Sequence, residues 1–345
     1  MTRYSSLASA RATQQRLDEL GLSAKKRLGQ HFLVDDGIVG KILRLAVVEP
    51  ESRIVEVGPG IGTLTEALLA QGAELIAVEL DADLCAGLAA RYPTVQLLCG
   101  DALAPQIVAR LQELAPLALV ANLPYGAAAT ILLAYFQALP SLQSATVMVQ
   151  HEVADRIAAE PGGRDYGAYT VKLRLIASVA GRFKVSPQSF YPQPRVDSAV
   201  IRLERHGLTG EVGKVSKTHE ARGGGSDNLL RTQGDGLSGT KGDAEDNASA
   251  VLVADASLLA DAAFFQRRKT IRNSMQAYFA RHELGEGRVD ELLAGADIDP
   301  LARGETLEPE TYLAMARALR ARQAWETPED MTDSLSIESS RDRPR

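Results

Sequence analysis

Cysteine is scarce: only Cys85 and Cys99 occur in 345 residues, and no Cys/His cluster has the spacing of a metal site. That excludes a zinc-organised fold or a disulfide-dense secreted scaffold. Both thiols are expected to be buried, reduced packing residues, one on a helix and one on a strand. Long apolar runs are missing as well, none approaching the roughly 18 to 20 residues of a membrane span. The N-terminal stretch has neither the apolar core nor the cleavage site of a signal peptide, so the expectation is a cytoplasmic chain with no membrane contact and no metal. Net positive charge is also lacking, with 38 Lys and Arg against 44 Asp and Glu. By itself this argues against a nucleic-acid partner, because neutralisation of phosphates by Lys and Arg dominates such affinity. The distribution of the charge points the other way. Positions 206–263 hold five basic and nine acidic residues and positions 324–345 three and six, which leaves a net +1 for the rest of a chain whose total is −6. There the cations cluster, as Lys25-Lys26-Arg27 and as Arg267-Arg268-Lys269 with Arg272, so a basic face is available.

With 45% hydrophobic and 24% charged residues, the chain is long enough for one sizeable α/β domain and a smaller companion. Residues 53–57 form a β-branched strand, followed by Gly58-Pro59-Gly60-Ile61-Gly62 and an apolar-periodic helix over 63–69. Glycines in this position let backbone approach a ligand at a helix N-terminus. A dinucleotide fingerprint, G-x-G-x-x-G, needs glycine where this chain has Thr63. A second strand, 75–78, ends in Glu79, 21 residues beyond Gly58, matching the offset of roughly 20 at which a carboxylate meets ribose hydroxyls. A third, 95–99, delivers Asp101, suited to accept a hydrogen bond from an adenine amino group. Either acid also suits a helix cap. Together they predict a nucleoside pocket and leave NAD and S-adenosylmethionine both open.

The fourth strand, 117–121, delivers Asn122-Leu123-Pro124-Tyr125 to the same sheet edge, ahead of a helix over 127–138. Asn offers an acceptor for an exocyclic amino group, Pro stiffens the backbone and Tyr offers a face for a base. Asn and Pro also favour an ordinary turn. Further along, His151 has no evident partner and reads as a surface or structural residue. Residues 169–179 read as a helix, and 183–185 and 198–203 as the closing strands. The loop between them holds Phe190 and Tyr191 among three prolines, either facing a substrate or packed inside. The division expected is an N-terminal extension (1–24), a catalytic α/β domain (25–205), a flexible linker (206–250), a helical domain (251–322) and a disordered tail (323–345). In the helical domain, 264–275 puts Phe264, Ile271 and Met275 on one stripe and cations elsewhere, for RNA backbone or for solvent.

Five segments in this order resemble the KsgA/RsmA family of small-subunit rRNA adenine dimethyltransferases over about residues 14–320: Lys26-Arg27-Leu28-Gly29-Gln30-His31-Phe32-Leu33; the stretch from Val55 through Gly58-Pro59-Gly60 to Thr65; Asn122-Leu123-Pro124-Tyr125; Pro194-Arg195-Val196-Asp197-Ser198-Ala199-Val200; and the run from Phe265 to Asn273. The resemblance implies a class I, Rossmann-like S-adenosylmethionine methyltransferase sheet followed by a small helical domain. It further implies S-adenosylmethionine as donor and, as acceptors, two adjacent adenosines near the 3′ end of 16S rRNA in the assembling small subunit. By matching position it places His31, Leu33, Gly58, Glu79, Asp101 and Asn122 at the cofactor. It places Asn122, Leu123, Pro124 and Tyr125 at the target base, with Phe190 as a second stacking surface. A monomer is expected.

The chain departs from the family pattern at Gly126-Ala127-Ala128-Ala129, where the family often carries a polar Asn and then Ile or Val, and in the long segment around Gly223 and the acidic tail. Three rivals remain in view. A large-subunit methylase of the macrolide-resistance type shares the Asn-Leu-Pro-Tyr logic, although Gln266-Arg267-Arg268-Lys269-Thr270 favours the small-subunit branch. An assembly factor acting by docking alone is the second, and an NAD oxidoreductase, disfavoured by Thr63, is the third.

Overall fold

The computed structural model describes residues 3–24, 30–206, 241–284 and 288–321. The cation run Lys25-Lys26-Arg27, the stretch around Gly223 and the tail from 323 lie outside the described residues. The chain divides into two compact units at Asp243/Ala244.

In the first unit an arm leads into α1 (Ala10–Glu19), started by the Ser9 side chain accepting from the Ala12 N–H. The arm is held on the domain by specific acceptors. The Tyr4 and Ser5 N–H groups donate to the Asp36 carboxylate, and the Ser6 hydroxyl donates to Glu66 at 2.8 Å. Leu7 and Leu17 bury themselves with Phe32, Ile61 and Leu84. Then come the short strand β1 (Phe32–Leu33) and helix α2 (Asp36–Ala46), capped by Asp35, with Ile38, Val39, Ile42, Leu43 and Ala46 buried at helical spacing. Strands and helices next alternate: β2 (Arg53–Val57), α3 (Thr63–Ala70), β3 (Glu74–Glu79), α4 (Ala82–Arg91), β4 (Gln96–Cys99), α5 (Pro105–Leu114), β5 (Ala118–Asn122), α6 (Ala128–Ala138) and β6 (Ser144–Gln150). Two short helices, α7 (His151–Ile157) and α8 (Ala168–Arg174), lead into β7 (Ala177–Val185), β8 (Phe190–Tyr191) and β9 (Ser198–Arg205).

The main sheet has the order β4-β3-β2-β5-β6-β9-β7. Its first five strands are parallel, and β9 inserts antiparallel between β6 and β7. Parallel strands covered by helices on both faces read as continuous apolar runs, which is why β2, β3, β5 and β6 are legible in the sequence. The chain winds outward from β2 to β4, then crosses back to place β5 beside β2. That reversal is the topological switch point, and a crevice opens at the carboxyl ends of the two strands that flank it.

The structure corrects the sequence-based expectation in several places. Residues 169–179 are not one helix: α8 stops at Arg174 and β7 already begins at Ala177, running to Val185. The strand's outer position exposes Ser178, Val179 and Ala180, so its sequence lacks the alternation that marks a half-buried strand. The cysteines are not reduced packing residues, because Cys85 and Cys99 form a disulfide with Cα atoms 6.1 Å apart. β3 and β4 pair with Glu79 opposite Cys99, and α4 begins just after β3, so its first turn carries Cys85 to the end of β4. A separation of 14 residues does not reveal that pairing.

In the second unit α9 (Lys241–Phe264) starts inside the segment expected to be a linker. Alanines and Glu245 there are good helix formers despite the polar composition. The stripe expected over 264–275 is broken by a turn at 265–269, after which Thr270 caps α10 (Ile271–Arg281). Helices α11 (Arg288–Gly295) and α12 (Pro309–Ala321) complete the unit around Leu259, Ile271, Met275, Phe279, Leu293 and Tyr312.

Candidate functional site

The crevice at the switch point is an open cavity, in the place where open α/β sheets bind ligands. One wall is the glycine turn after β2. Gly60 and Gly62 have φ of 61° and 96°, and a Cβ on Gly62 would stand 2.6 Å from the Tyr92 ring, so these two positions take no side chain. Glu79, at the end of β3, holds the turn in place: one carboxylate oxygen accepts from the Gly60 N–H at 3.0 Å and the other from the Asp81 N–H at 2.9 Å. Burial raises its pKa while those backbone donors oppose the rise. Asp101 lies exposed beyond β4, accepting from the Leu103 N–H at 2.9 Å. Leu33, Gly58, Glu79 and Asp101 all line the cavity.

The opposite wall is Asn122-Leu123-Pro124-Tyr125 with His31. The Asn122 amide nitrogen donates to the His31 carbonyl at 2.9 Å, which leaves its oxygen as an acceptor. His31 is tied down twice more. Its Nδ1 lies 2.7 Å from the Pro192 carbonyl, and its ring stacks on Tyr125 with centroids 5.4 Å apart and planes 24° from parallel. In the sequence His31 is a polar residue beside an apolar anchor; that it braces both Asn122 and Tyr125 is visible only in the fold. At the alanine run, α6 begins with Ala127 as a cap that supplies no side-chain hydrogen bond.

Two buried polar groups line the cavity. The Thr63 hydroxyl, at the first turn of α3, is buried without a hydrogen-bond partner among the described residues. An orphaned donor at a helix N-terminus, beside a glycine turn, fits a ligand with an anionic or carbonyl group. The carboxylates of Glu79 and Asp101, the glycine turn and the Thr63 hydroxyl together fit a nucleoside bearing an amino-acid carboxylate, such as S-adenosylmethionine. Glu56 is 1% exposed and receives the Thr65 hydroxyl at 2.7 Å. Burial pushes its pKa from 4.5 up to about 8.

Folded Glu56 thus keeps a proton that the unfolded chain releases. Its contribution to stability is full below about pH 4.5 and is lost as pH rises through about 8. Glu56→Gln is expected to flatten that dependence. Thermal unfolding near pH 5 and pH 8 should show the variant gaining on the parent at the higher pH; parallel profiles would refute the assignment.

One expected site residue is not brought in. Phe190 is 2% exposed and packs in the hydrophobic core with Leu33, its partner across the β1–β8 pair. The loop expected there forms β8, whose alternation turns Phe190 inward and leaves Tyr191 half-buried, its hydroxyl donating to Gln14. Buried in this way, Phe190 offers no face on which a base could stack. His151 does have a neighbour, Asp155, at 2.8 Å one helical turn on, and stays a surface residue. Among the described residues no cluster of His, Cys, Asp and Glu could hold a metal ion, and no helix is long and apolar enough to cross a membrane.

Comparison with known proteins agrees with this geometry. The Ribosomal RNA adenine dimethylase family matches residues 21–216. A Ribosomal RNA small subunit methyltransferase A from Corynebacterium jeikeium is 37% identical over 312 residues, covering 88% of this chain and 93% of that protein. One of the same name from Enterococcus faecalis is 33% identical, covering 92% and 98%. Among solved structures, a dimethyladenosine transferase from Plasmodium falciparum has a TM-score of 0.60 at 20% identity, over 85% of this chain and 98% of its own. The 23S rRNA methyltransferase ErmE gives 0.51 at 22%, over 84% and 99%. These two likenesses establish a common fold. With a family match over more than half its length and close relatives over nearly all of it, the chain belongs to the ribosomal RNA adenine dimethylases.

Proposed function

We propose that the chain transfers methyl groups from S-adenosylmethionine to N6 of two adjacent adenosines near the 3′ end of small-subunit rRNA, in the cytoplasm, as a monomer acting on the assembling subunit. The observation that carries this reading is one cavity with two walls: Glu79 and Asp101 on one side, Asn122 to Tyr125 on the other. The bound cofactor supplies an electrophilic methyl on a positively charged sulfur. Glu79 accepts from the ribose hydroxyls and Asp101 from the cofactor's adenine amine, with His31, Leu33 and Gly58 shaping the remaining surface. The target adenine must leave its stack to reach the cavity, and the Tyr125 ring offsets part of that cost.

The N6 lone pair is delocalised into the ring and is a poor nucleophile. The Asn122 oxygen and the Leu123 carbonyl accept the N6 hydrogens and hold them out of plane, which localises the lone pair toward the methyl. Pro124 keeps both acceptors on a stiff turn, so positioning does most of the work and no strong general base is needed.

Labelled S-adenosylmethionine with undermethylated small subunits, large subunits and naked rRNA tests the substrate. Dimethyladenosine is expected in small-subunit RNA; label confined to large-subunit RNA would overturn the proposal. In the helical unit Arg267 is paired with Glu305 at 3.1 Å and Arg272 with Asp290 at 2.6 Å. Arg268 and Lys269, on the turn between α9 and α10, have no ion pair among the described residues, and of this basic run they are the cations available to phosphate. Arg268→Ala should weaken subunit binding and lower the slope of log affinity against log salt by about one, leaving cofactor affinity intact. An unchanged slope would remove Arg268 from the RNA surface.

A further inference from the structure

β9 enters the sheet antiparallel, so its first residue, not its last, lies at the edge where the parallel strands end. That residue is Ser198, opposite Gln150 at the end of β6 and Val185 on β7. It is wholly buried, and Ala199, Val200 and Ile201 follow it into the core. A hydroxyl in such a place needs a partner, and its partner is the Tyr125 phenol, with the two oxygens 2.6 Å apart. The strand start is itself pinned, since the Asp197 carbonyl accepts from the His151 N–H at 3.0 Å.

We propose that Ser198 is a positioning residue for methyl transfer: it holds the Tyr125 ring, through the phenol, at the angle at which the target adenine stacks. The inference rests on the reading of Tyr125 as the base-stacking ring. Tyr125 sits on a turn whose next residue, Gly126, is exposed, and the ring is only half-buried. Two contacts hold the ring in place: the His31 ring against the tyrosine ring and the Ser198 hydroxyl at the phenol. With the phenol committed to Ser198, the tyrosine presents its ring face to a base and contributes no hydrogen bond to it. Small angular errors at a reacting pair are costly in rate and cheap in affinity, so the effect belongs in the transfer step.

Five variants of the full chain test this: Ser198→Ala, Tyr125→Phe, their combination, Ser198→Thr and Tyr125→Ala. Single-turnover transfer to undermethylated small subunits is measured beside calorimetric affinity for S-adenosylmethionine and subunit affinity. Ser198→Ala and Tyr125→Phe should each slow transfer roughly tenfold with both affinities unchanged. The double variant should be no slower than either single one, because both remove the same bond, and Ser198→Thr, which keeps the hydroxyl, should recover most of the rate. Two independent losses that multiply, or a Ser198→Ala enzyme that binds cofactor poorly, would overturn the inference. A full-rate Ser198→Ala beside an inactive Tyr125→Ala would overturn it while leaving base stacking intact. Full activity in Tyr125→Ala would instead remove the stacking reading and the inference with it.

Discussion

Asn122→Ala is expected to lower the rate of methyl transfer by roughly 10²- to 10³-fold, the range seen when one preorganised polar group is removed from a reacting centre. The loss arises twice over. The acceptor proposed to orient the N6 hydrogens disappears, and so does the donor at 2.9 Å that ties the His31 carbonyl to the same turn. His31 in turn stacks on Tyr125, so the base wall loosens as a unit. Affinity for RNA should persist, because the basic surfaces are untouched. Single-turnover rates measured beside subunit binding separate the two effects. Unchanged turnover would refute the assigned role, and lost RNA binding would mean that the residue acts on the fold. Asn122→Asp is a sharper variant: it keeps an acceptor but loses the donor to His31, so it should fall between parent and alanine.

For Glu79→Ala the expected result is a loss of S-adenosylmethionine affinity of roughly 10²-fold, accompanied by a lower unfolding midpoint. Glu79 is buried and uses both oxygens on backbone donors, one in the glycine turn and one at the start of α4. Removing it leaves those two N–H groups without their acceptor, at about 1–3 kcal/mol for each group that stays buried. It also removes the acceptor proposed for the ribose. Calorimetric titration with S-adenosylmethionine and thermal unfolding of the same sample read the two losses. Asp101→Asn is the comparison, since Asp101 is exposed and, among the described residues, its side chain accepts from the Leu103 N–H alone. It should weaken binding with little change in the midpoint. If Glu79→Ala binds the cofactor as the parent does, the ribose assignment fails.

What can be read from the chain divides along the range of the interactions. β2, β3, β5 and β6 are short apolar runs at the core of the sheet, and the glycine turn, Glu79, Asp101 and Asn122 stand at or just beyond strand ends. Their placement at one edge follows from strand direction alone. The segments that sequence reading misplaces depend on partners far away in the chain. β7 exists because β9 pairs with it over its whole length. Phe190 turns inward because β8 pairs with β1, more than 150 residues earlier. The Cys85–Cys99 bridge follows from the β3–β4 register. Ser198 stands within the Pro194–Val200 motif with no local sign of a role, since nothing near it in sequence indicates that an antiparallel strand brings it to Tyr125.

Sequence alone determined the α/β class, the position of Glu79 and Asp101 at strand ends and the Asn122–Tyr125 turn, because strand propensity, apolar periodicity and turn chemistry are local properties of the chain. Tertiary structure alone decided which groups brace those residues: His31 against Asn122 and Tyr125, Glu79 on the glycine turn, Ser198 on the phenol. Such contacts exist only after the order of the strands reverses between β2 and β5 and β9 enters antiparallel, which places residues far apart in the chain at one sheet edge.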